Sequence, residues 1–376
     1  MDTSRASIGV IGKCLAVLAT ATLTSSLGAE DSPPGEWIAP EVSEFSDWSV
    51  ACDNARECTA VSVSRGFLAW IAAVDPGDYA TPKLWVTRRA GPNARARIFV
   101  DTTVWGEVDT AAPPASLHVY NECDGDCTGR AYRLVPLEPG RYELAPADVT
   151  AFLAESVKTN RAATRLADGQ MHGIITTAGM TAGLRFIDEV QERRGTVTAL
   201  YAKGPRPPQT VPPAPLVPRV AVVRGEAMML DTPTAIDIAM AVPRAQMCPD
   251  AALAAPDPLR ARYRLESGQF LHALGCSAPG ATPRRLWMIE TPGQGFAPFT
   301  LPRPEQGRAA ELPILPNSHF DPASGLLTAA SGADCGWRRR WAWTGRAFAM
   351  VDAVEIPSCY GIPQRQWLQT YRAIPG

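Results

Sequence analysis

The chain is 376 residues long, 46% hydrophobic and 20% charged, with a formal net charge of −2. That balance is globular and excludes a disordered chain. Acids and bases are interspersed, so no broad basic field exists to hold nucleic acid.

Arg5 and Lys13 flank the start, an apolar run covers Cys14–Leu23, and small residues follow to Ala29. A basic start, a short apolar middle and a small-residue end predict a secretory signal peptide over 1–29, cleaved after Gly28 or Ala29. The run falls short of the roughly 20 apolar residues that span a bilayer. Nothing later is long and apolar enough either, so the mature chain is expected to lack a transmembrane segment. Lys13 stands where a small residue should precede a lipid-modified cysteine, which argues against lipidation of Cys14. Once the leader is removed, an even number of cysteines remains, in sequential pairs: Cys52/Cys58, Cys123/Cys127, Cys248/Cys276 and Cys335/Cys359. In an oxidising compartment such pairs close into disulfides. Many pairings are formally open, but short loops cost least to close, so neighbours are expected to join.

About 345 residues after the leader suffice for two domains of ordinary size. Ser32–Gly35 reads as a short linker, and a first domain is expected over 37–203. Strand signals come at Phe45–Cys52, where alternation puts Trp48, Val50 and Cys52 on one face, and at Cys58–Val63, making a hairpin. Further strands are expected at Phe67–Ala73, Lys83–Arg89, Arg97–Thr103 and Ser116–Asn121. One helix follows Pro146, with Val149, Phe152, Leu153 and Val157 as its apolar stripe. A second is expected over Thr181–Arg194, lined by Leu184, Ile187 and Val190 and stopped by Gly195, with Arg185 and Glu189 able to pair. Thr196–Tyr201 reads as a closing strand. Residues 204–219 are proline-rich, an extended semi-rigid tether, and a second domain is expected over 220–376. There Leu286–Glu290 reads as a strand, and Trp337–Trp343, a Thr344-Gly345 turn and Ala347–Val351 read as a hairpin tied by Cys335–Cys359. The fold class expected is mainly β: two antiparallel, sandwich-like domains with a few helices, stapled by disulfides.

Three stretches resemble one family. They are Phe45–Ala60 (FSDWSVACDNARECTA), Pro316–Gly325 (PNSHFDPASG), and Ala333-Asp-Cys-Gly336 together with Trp341–Phe348 (WAWTGRAF) and Ile356–Gly361 (IPSCYG). Together they are similar to the bacterial family catalogued as domain of unknown function 1176, exported proteins of similar length. The first stretch also resembles, more weakly, the invasion-associated locus B proteins. The resemblance implies a Gram-negative periplasm or envelope and supplies no catalytic residues.

Candidate chemistry is sparse. Glu122, Asp124 and Asp126 surround a glycine turn, but the twelve-residue calcium loop is missing and Asp-Gly is first of all a turn. A zinc site needs closer cysteine spacing or histidine partners. No G-x-S-x-G, S-x-x-K or H-E-x-x-H pattern occurs. His319 with Asp321 could form a base–acid pair, but the surrounding residues also spell a turn. His118, His172 and His272 sit in apolar runs and read as core or strand residues. Trp337, Arg339, Trp341 and Trp343 fall on one strand face, either as a binding surface for a glycan or protein or as an inward core face with arginine stems along the rings. No catalytic set, metal site or cofactor is read from the sequence. The expected function is that of a periplasmic, non-enzymatic binding or structural protein with an envelope protein or glycan as partner. The alternative is an envelope hydrolase or glycan-binding module using the tryptophan-rich hairpin.

Overall fold

The computed structural model describes residues 42–63, 82–104, 107–108, 113–121, 129–228, 247–248, 260–278, 280–297, 299–303, 313–359 and 361–376. The expectations for the leader, the Ser32–Gly35 linker, the Phe67–Ala73 strand and the loop carrying Glu122, Cys123, Asp124, Asp126 and Cys127 lie outside these residues. The described part belongs to one unit, Ile38–Gly376.

Antiparallel sheets make up most of it, with disulfides in several places. Where one strand is expected over Phe45–Cys52, the chain makes two: β1 (Ser43–Phe45) and β2 (Trp48–Cys52), turning at Ser46-Asp47. β3 (Cys58–Ser62), β4 (Lys83–Arg88) and β5 (Ala96–Asp101) continue the meander, and β6 (Thr103–Val104) and β7 (Glu107–Val108) form a short separate ladder. β8 (Ser116–Tyr120), β9 (Arg130–Glu138), β10 (Arg141–Leu144), β11 (Arg161–Arg165) and β12 (Met171–Thr176) complete a ten-stranded sheet in the order 1-2-3-4-5-10-9-8-11-12. The sheet curls until its ends meet: Trp48 Nε1 donates to Thr176 O at 3.2 Å, and Asp47 N donates to Ala178 O at 3.2 Å.

Two helices pack on this sheet. α1 (Val149–Ser156) buries Val149, Phe152 and Leu153, three of the four stripe residues predicted. α2 (Met180–Val190) buries Leu184 and Ile187 but ends sooner than Gly195 suggested, with Glu189 paired to Arg194 at 3.6 Å. A Cβ on Gly183 would come within 3.0 Å of Val50 Cγ2, so the absent side chain is what lets α2 lie this close to β2. Thr196–Tyr201 is a run of turns, not a strand. Its amides find a buried carboxylate in place of a ladder: Asp188 accepts from the N–H groups of Leu200, Tyr201 and Ala202 at 2.7, 2.9 and 3.0 Å.

The proline-rich segment makes one 3₁₀ turn (Pro208–Thr210) and ends in β13 (Arg219–Val220). A second sheet then forms from β14 (Gly225–Met228), β15 (Ala261–Leu265), β16 (Phe270–Gly275), β17 (Arg284–Thr291) and β18 (Gly295–Ala297), with β19 (Ile314–Pro316) also on β17. A third is the meander β20 (His319–Asp321), β21 (Leu326–Ser331), β22 (Gly336–Trp343), β23 (Phe348–Ile356) and β24 (Leu368–Arg372). β25 (Ile374–Pro375) pairs in parallel with β13. The second and third sheets face each other across a core of Leu271, Trp287, Ile289, Leu327, Trp341 and Trp343 among others.

The third sheet is covered on its other face as well. Val354, Ile356, Trp367 and Leu368 share a cluster with Ala51, Val61, Trp85 and Phe99 of the first sheet. Burial of large apolar side chains is worth ~1.5–3 kcal/mol apiece, so this shared cluster is a substantial weld. It also explains why every residue of β2 is buried. Ala51 meets the third sheet while Val50, on the opposite face, meets α2.

Beside the weld, Lys83 stands opposite Asp101 across β4 and β5, and Gln366 also donates to the Asp101 carboxylate. Burial lowers the Lys83 ammonium from 10.5 to about 8, against the pull of Asp101. The folded state therefore binds fewer protons than the unfolded chain between those two values, and stability should rise with pH across that window. At about 1.4 kcal/mol per pH unit the rise is ~3 kcal/mol. Urea midpoints measured from pH 7.5 to 10.5 should show it, and Lys83→Met should flatten the curve; parallel curves for the two proteins would refute the assignment.

Candidate functional site

A groove of about 820 Å³ opens on the first sheet between two loops. One wall is the β4–β5 connection, held in shape by Arg88, whose Nε and Nη2 donate to Ala94 O at 3.3 and 3.2 Å. The other wall is the 196–203 loop, shaped by Asp188. Arg193 ties the walls together: its guanidinium donates to Thr198 Oγ1 at 3.0 Å, to Gln191 Oε1 at 3.1 Å and to Gly91 O. Arg88, Asp188, Gln191 and Arg193 are all buried, at 4, 0, 2 and 0% exposed. Burial, reinforced by the neighbouring Arg193 charge, pushes Arg88 down to about 9, with Asp188 opposing. This polar layer fixes the two loops from beneath.

The lining combines aliphatic and basic groups. Val149 and Leu153 of α1 contribute with Val197 and Leu200 of the loop. Arg95 and Lys203 are exposed, and their side chains make no hydrogen bond or ion pair among the described residues. Arg97 makes two parallel bonds to Glu143, at 2.7 and 2.9 Å. Those bonds hold the Glu143 carboxyl below its ordinary value, against a smaller effect of burial. Glu143 is the single carboxylate among the described lining residues, which include no histidine, cysteine or serine. Fixed as an ionised partner of Arg97, it is a poor proton donor or general base.

The two loops were not singled out from the sequence. A buried aspartate accepting three loop amides has no local signature, and Thr196–Tyr201 looks like a strand because its alternation is real.

The residues that were singled out lie elsewhere. Trp341 and Trp343 are in the core between the second and third sheets, donating to Pro302 O at 2.8 Å and Gln269 Oε1 at 3.2 Å. Arg339 is buried over the half-buried Trp337 ring, 4.5 Å from its centroid. Hence these four side chains line the inward face of β22, with little indole surface left to stack on a ligand. The physical reason is the second sheet, which covers that face.

His319 and Asp321 share an exposed edge, but Asp321 is engaged in its own turn, accepting from Ala323 N at 3.1 Å and Ser324 Oγ at 2.5 Å. His272, read as a core residue, bonds Glu290 Oε2 at 2.8 Å, which Arg262 also reaches at 3.2 Å. His118 lies between Ser116 Oγ at 2.9 Å and Gly129 O at 3.3 Å, and burial lowers its pKa. His172 meets Thr164 Oγ1 at 3.0 Å. Among the described residues no cluster of three or more metal-ligating side chains occurs, and no helix is long and apolar enough to cross a membrane. Disulfides join Cys52–Cys58, Cys248–Cys276 and Cys335–Cys359.

The Cys52–Cys58 loop has a second role. Asp53 Oδ1 accepts from Ala55 N and Glu57 N, each at 2.9 Å, which shapes the loop. Its carboxylate also pairs with Arg372 of β24, whose Nη1 reaches Glu57 at 3.0 Å. Asn54 grips the backbone of the same residue: Nδ2 donates to Arg372 O at 3.0 Å, and Oδ1 accepts from Arg372 N at 2.8 Å. The loop that follows Trp48–Cys52 thus clasps the strand at the far end of the chain.

A family model described as "Protein of unknown function (DUF1176)" matches residues 42–374. The chain belongs to the DUF1176 family. The "Uncharacterized protein YpfG" of Escherichia coli (strain K12) is 29% identical over 336 residues, covering 86% of this chain and 90% of that protein. No solved structure matches. In this DUF1176 chain the motif residues are structural: Asp53 and Asn54 make the clasp, and Ser318 accepts from Trp287 Nε1 at 2.9 Å. At Gly336 a Cβ would fall 2.1 Å from Ser331 O, so only glycine fits beside Cys335.

Proposed function

We propose that this chain is an exported periplasmic protein that binds an envelope partner in the groove between the β4–β5 connection and the 196–203 loop, and that it performs no chemistry there. In this reading residues 1–29 are its signal peptide, and 37–203 and 220–376 are two lobes joined by the 204–219 segment. The observation that carries the binding reading is the groove itself. Two loops are held by a buried polar layer, Arg95 and Lys203 are turned to solvent, and the one carboxylate among the described lining residues is already neutralised by Arg97. A hydrolase would need convergent titratable groups in such a place. Export is supported by the composition of the leader and by the disulfides, which persist in oxidising compartments.

The test is made on the full chain expressed with its leader. A photocrosslinking amino acid placed at Val197 should trap a partner in the periplasmic fraction, and the same amino acid at Met228 should not. This chain, recovered from the periplasm, should begin at Ala29 or Glu30. Recovery in the cytosol with free thiols, or turnover of a peptidoglycan fragment by the purified protein, would sink the proposal.

A further inference from the structure

Resting on that reading, we propose that the groove receives an acidic peptide segment, its carboxylates held by Arg95 and Lys203 and its apolar side chains packed against Val197. The chain as a whole carries a net charge of −2, so attraction for an acidic ligand is local to this groove. Arg95 and Lys203 stand on opposite walls, exposed and without partners among the described residues, so neither need break an internal contact to bind.

Between them the lining carries aliphatic side chains beside the Arg97–Glu143 pair. Val197 is 54% exposed at the groove wall, where a ligand's apolar side chain can reach it. The floor beneath is set by Val149 and Leu153. The volume, about 820 Å³, lies within the roughly 300–1,000 Å³ of small-ligand sites, enough for a few residues of extended chain. A bare anion would use the cations and ignore the aliphatic floor. A glycan would be served by aromatic rings, and among the described lining residues there are none. A peptide alternating carboxylates with apolar side chains uses both halves of the lining.

The probe is a fluorescein-labelled hexapeptide alternating glutamate and leucine, followed by anisotropy against the mature protein. It should bind at least tenfold more tightly than the matching lysine–leucine peptide and weaken as salt rises, because exposed charge pairs are screened. Arg95→Glu with Lys203→Glu should reduce binding at least tenfold, and Val197→Asp should reduce it independently. Unchanged thermal midpoints would show that these surface variants still fold.

Equal binding of the two peptides overturns the proposal. So does displacement of the probe by millimolar inorganic phosphate, which would mark a bare anion site. An oligogalacturonate of equal charge that binds as tightly as the acidic peptide would reassign the groove to a glycan. If the peptide fails while the Val197 crosslink still traps a periplasmic partner, the ligand class is wrong and the binding reading stands. If both fail, the binding reading falls too.

Discussion

Replacing Arg372 with methionine will destabilise the protein by about 3 kcal/mol, because it leaves the Asp53 carboxylate buried without its counter-charge. Asp53 is 0% exposed, and burial already raises its pKa, with Arg372 the largest opposing influence. Arg372 itself is about a third exposed, which places the expected loss at the lower end of the range for broken buried pairs. The Asn54 contacts go to the backbone of residue 372 and survive the substitution. The sign of the pH dependence follows. Without Arg372 the Asp53 pKa climbs further above its unfolded value, so the folded state takes up a proton on acidification. The variant should therefore regain stability as pH falls toward the ordinary carboxylate range, and Arg372→Met combined with Asp53→Asn should recover part of the loss at pH 7. Urea midpoints decide the matter; equal midpoints for wild type and Arg372→Met would remove the clasp from the account.

The second large effect is at Trp341. Its side chain is 0% exposed, with its indole nitrogen satisfied by Pro302 O. Trp341→Ala empties a large volume between two sheets and leaves that carbonyl without its donor, at an expected cost of ~3–5 kcal/mol. Trp337 is only half-buried, so Trp337→Ala should cost clearly less. Thermal or chemical unfolding of both variants checks the order. A Trp341→Ala protein as stable as wild type would mean that the indole lies outside the core.

These two positions show where reading the sequence succeeds and where it stops. Alternation correctly placed Trp337, Arg339, Trp341 and Trp343 on one face, but a period of two does not say what covers that face. Only the pairing of distant strands does, and the second sheet that covers it comes from residues far back along the chain. Likewise the Cys52–Cys58 hairpin was legible from spacing, whereas the partner of its Asp53 and Asn54 lies 318 residues beyond Asn54.

β9 to β12 carry weak sequence signals. Their turns at Pro139-Gly140 and Asp168-Gly169 are ordinary turn dipeptides, but β9 has an uneven burial pattern and Pro136 within it, so its alternation is blurred. The groove was illegible for a different reason. Its walls are shaped by Asp188 and Arg193, charged residues at and just beyond the end of a helix, where charge usually signifies nothing more than a solvated surface.

The clasp between the first hairpin and β24 has a consequence for how the molecule is made. A ribosome releases Asp53 and Asn54 long before it reaches Arg372, so the early hairpin waits for its mate until synthesis is nearly finished. Contacts this remote along the chain close slowly. Until its tail arrives, a nascent chain holds that hairpin without the partner that buries the Asp53 charge.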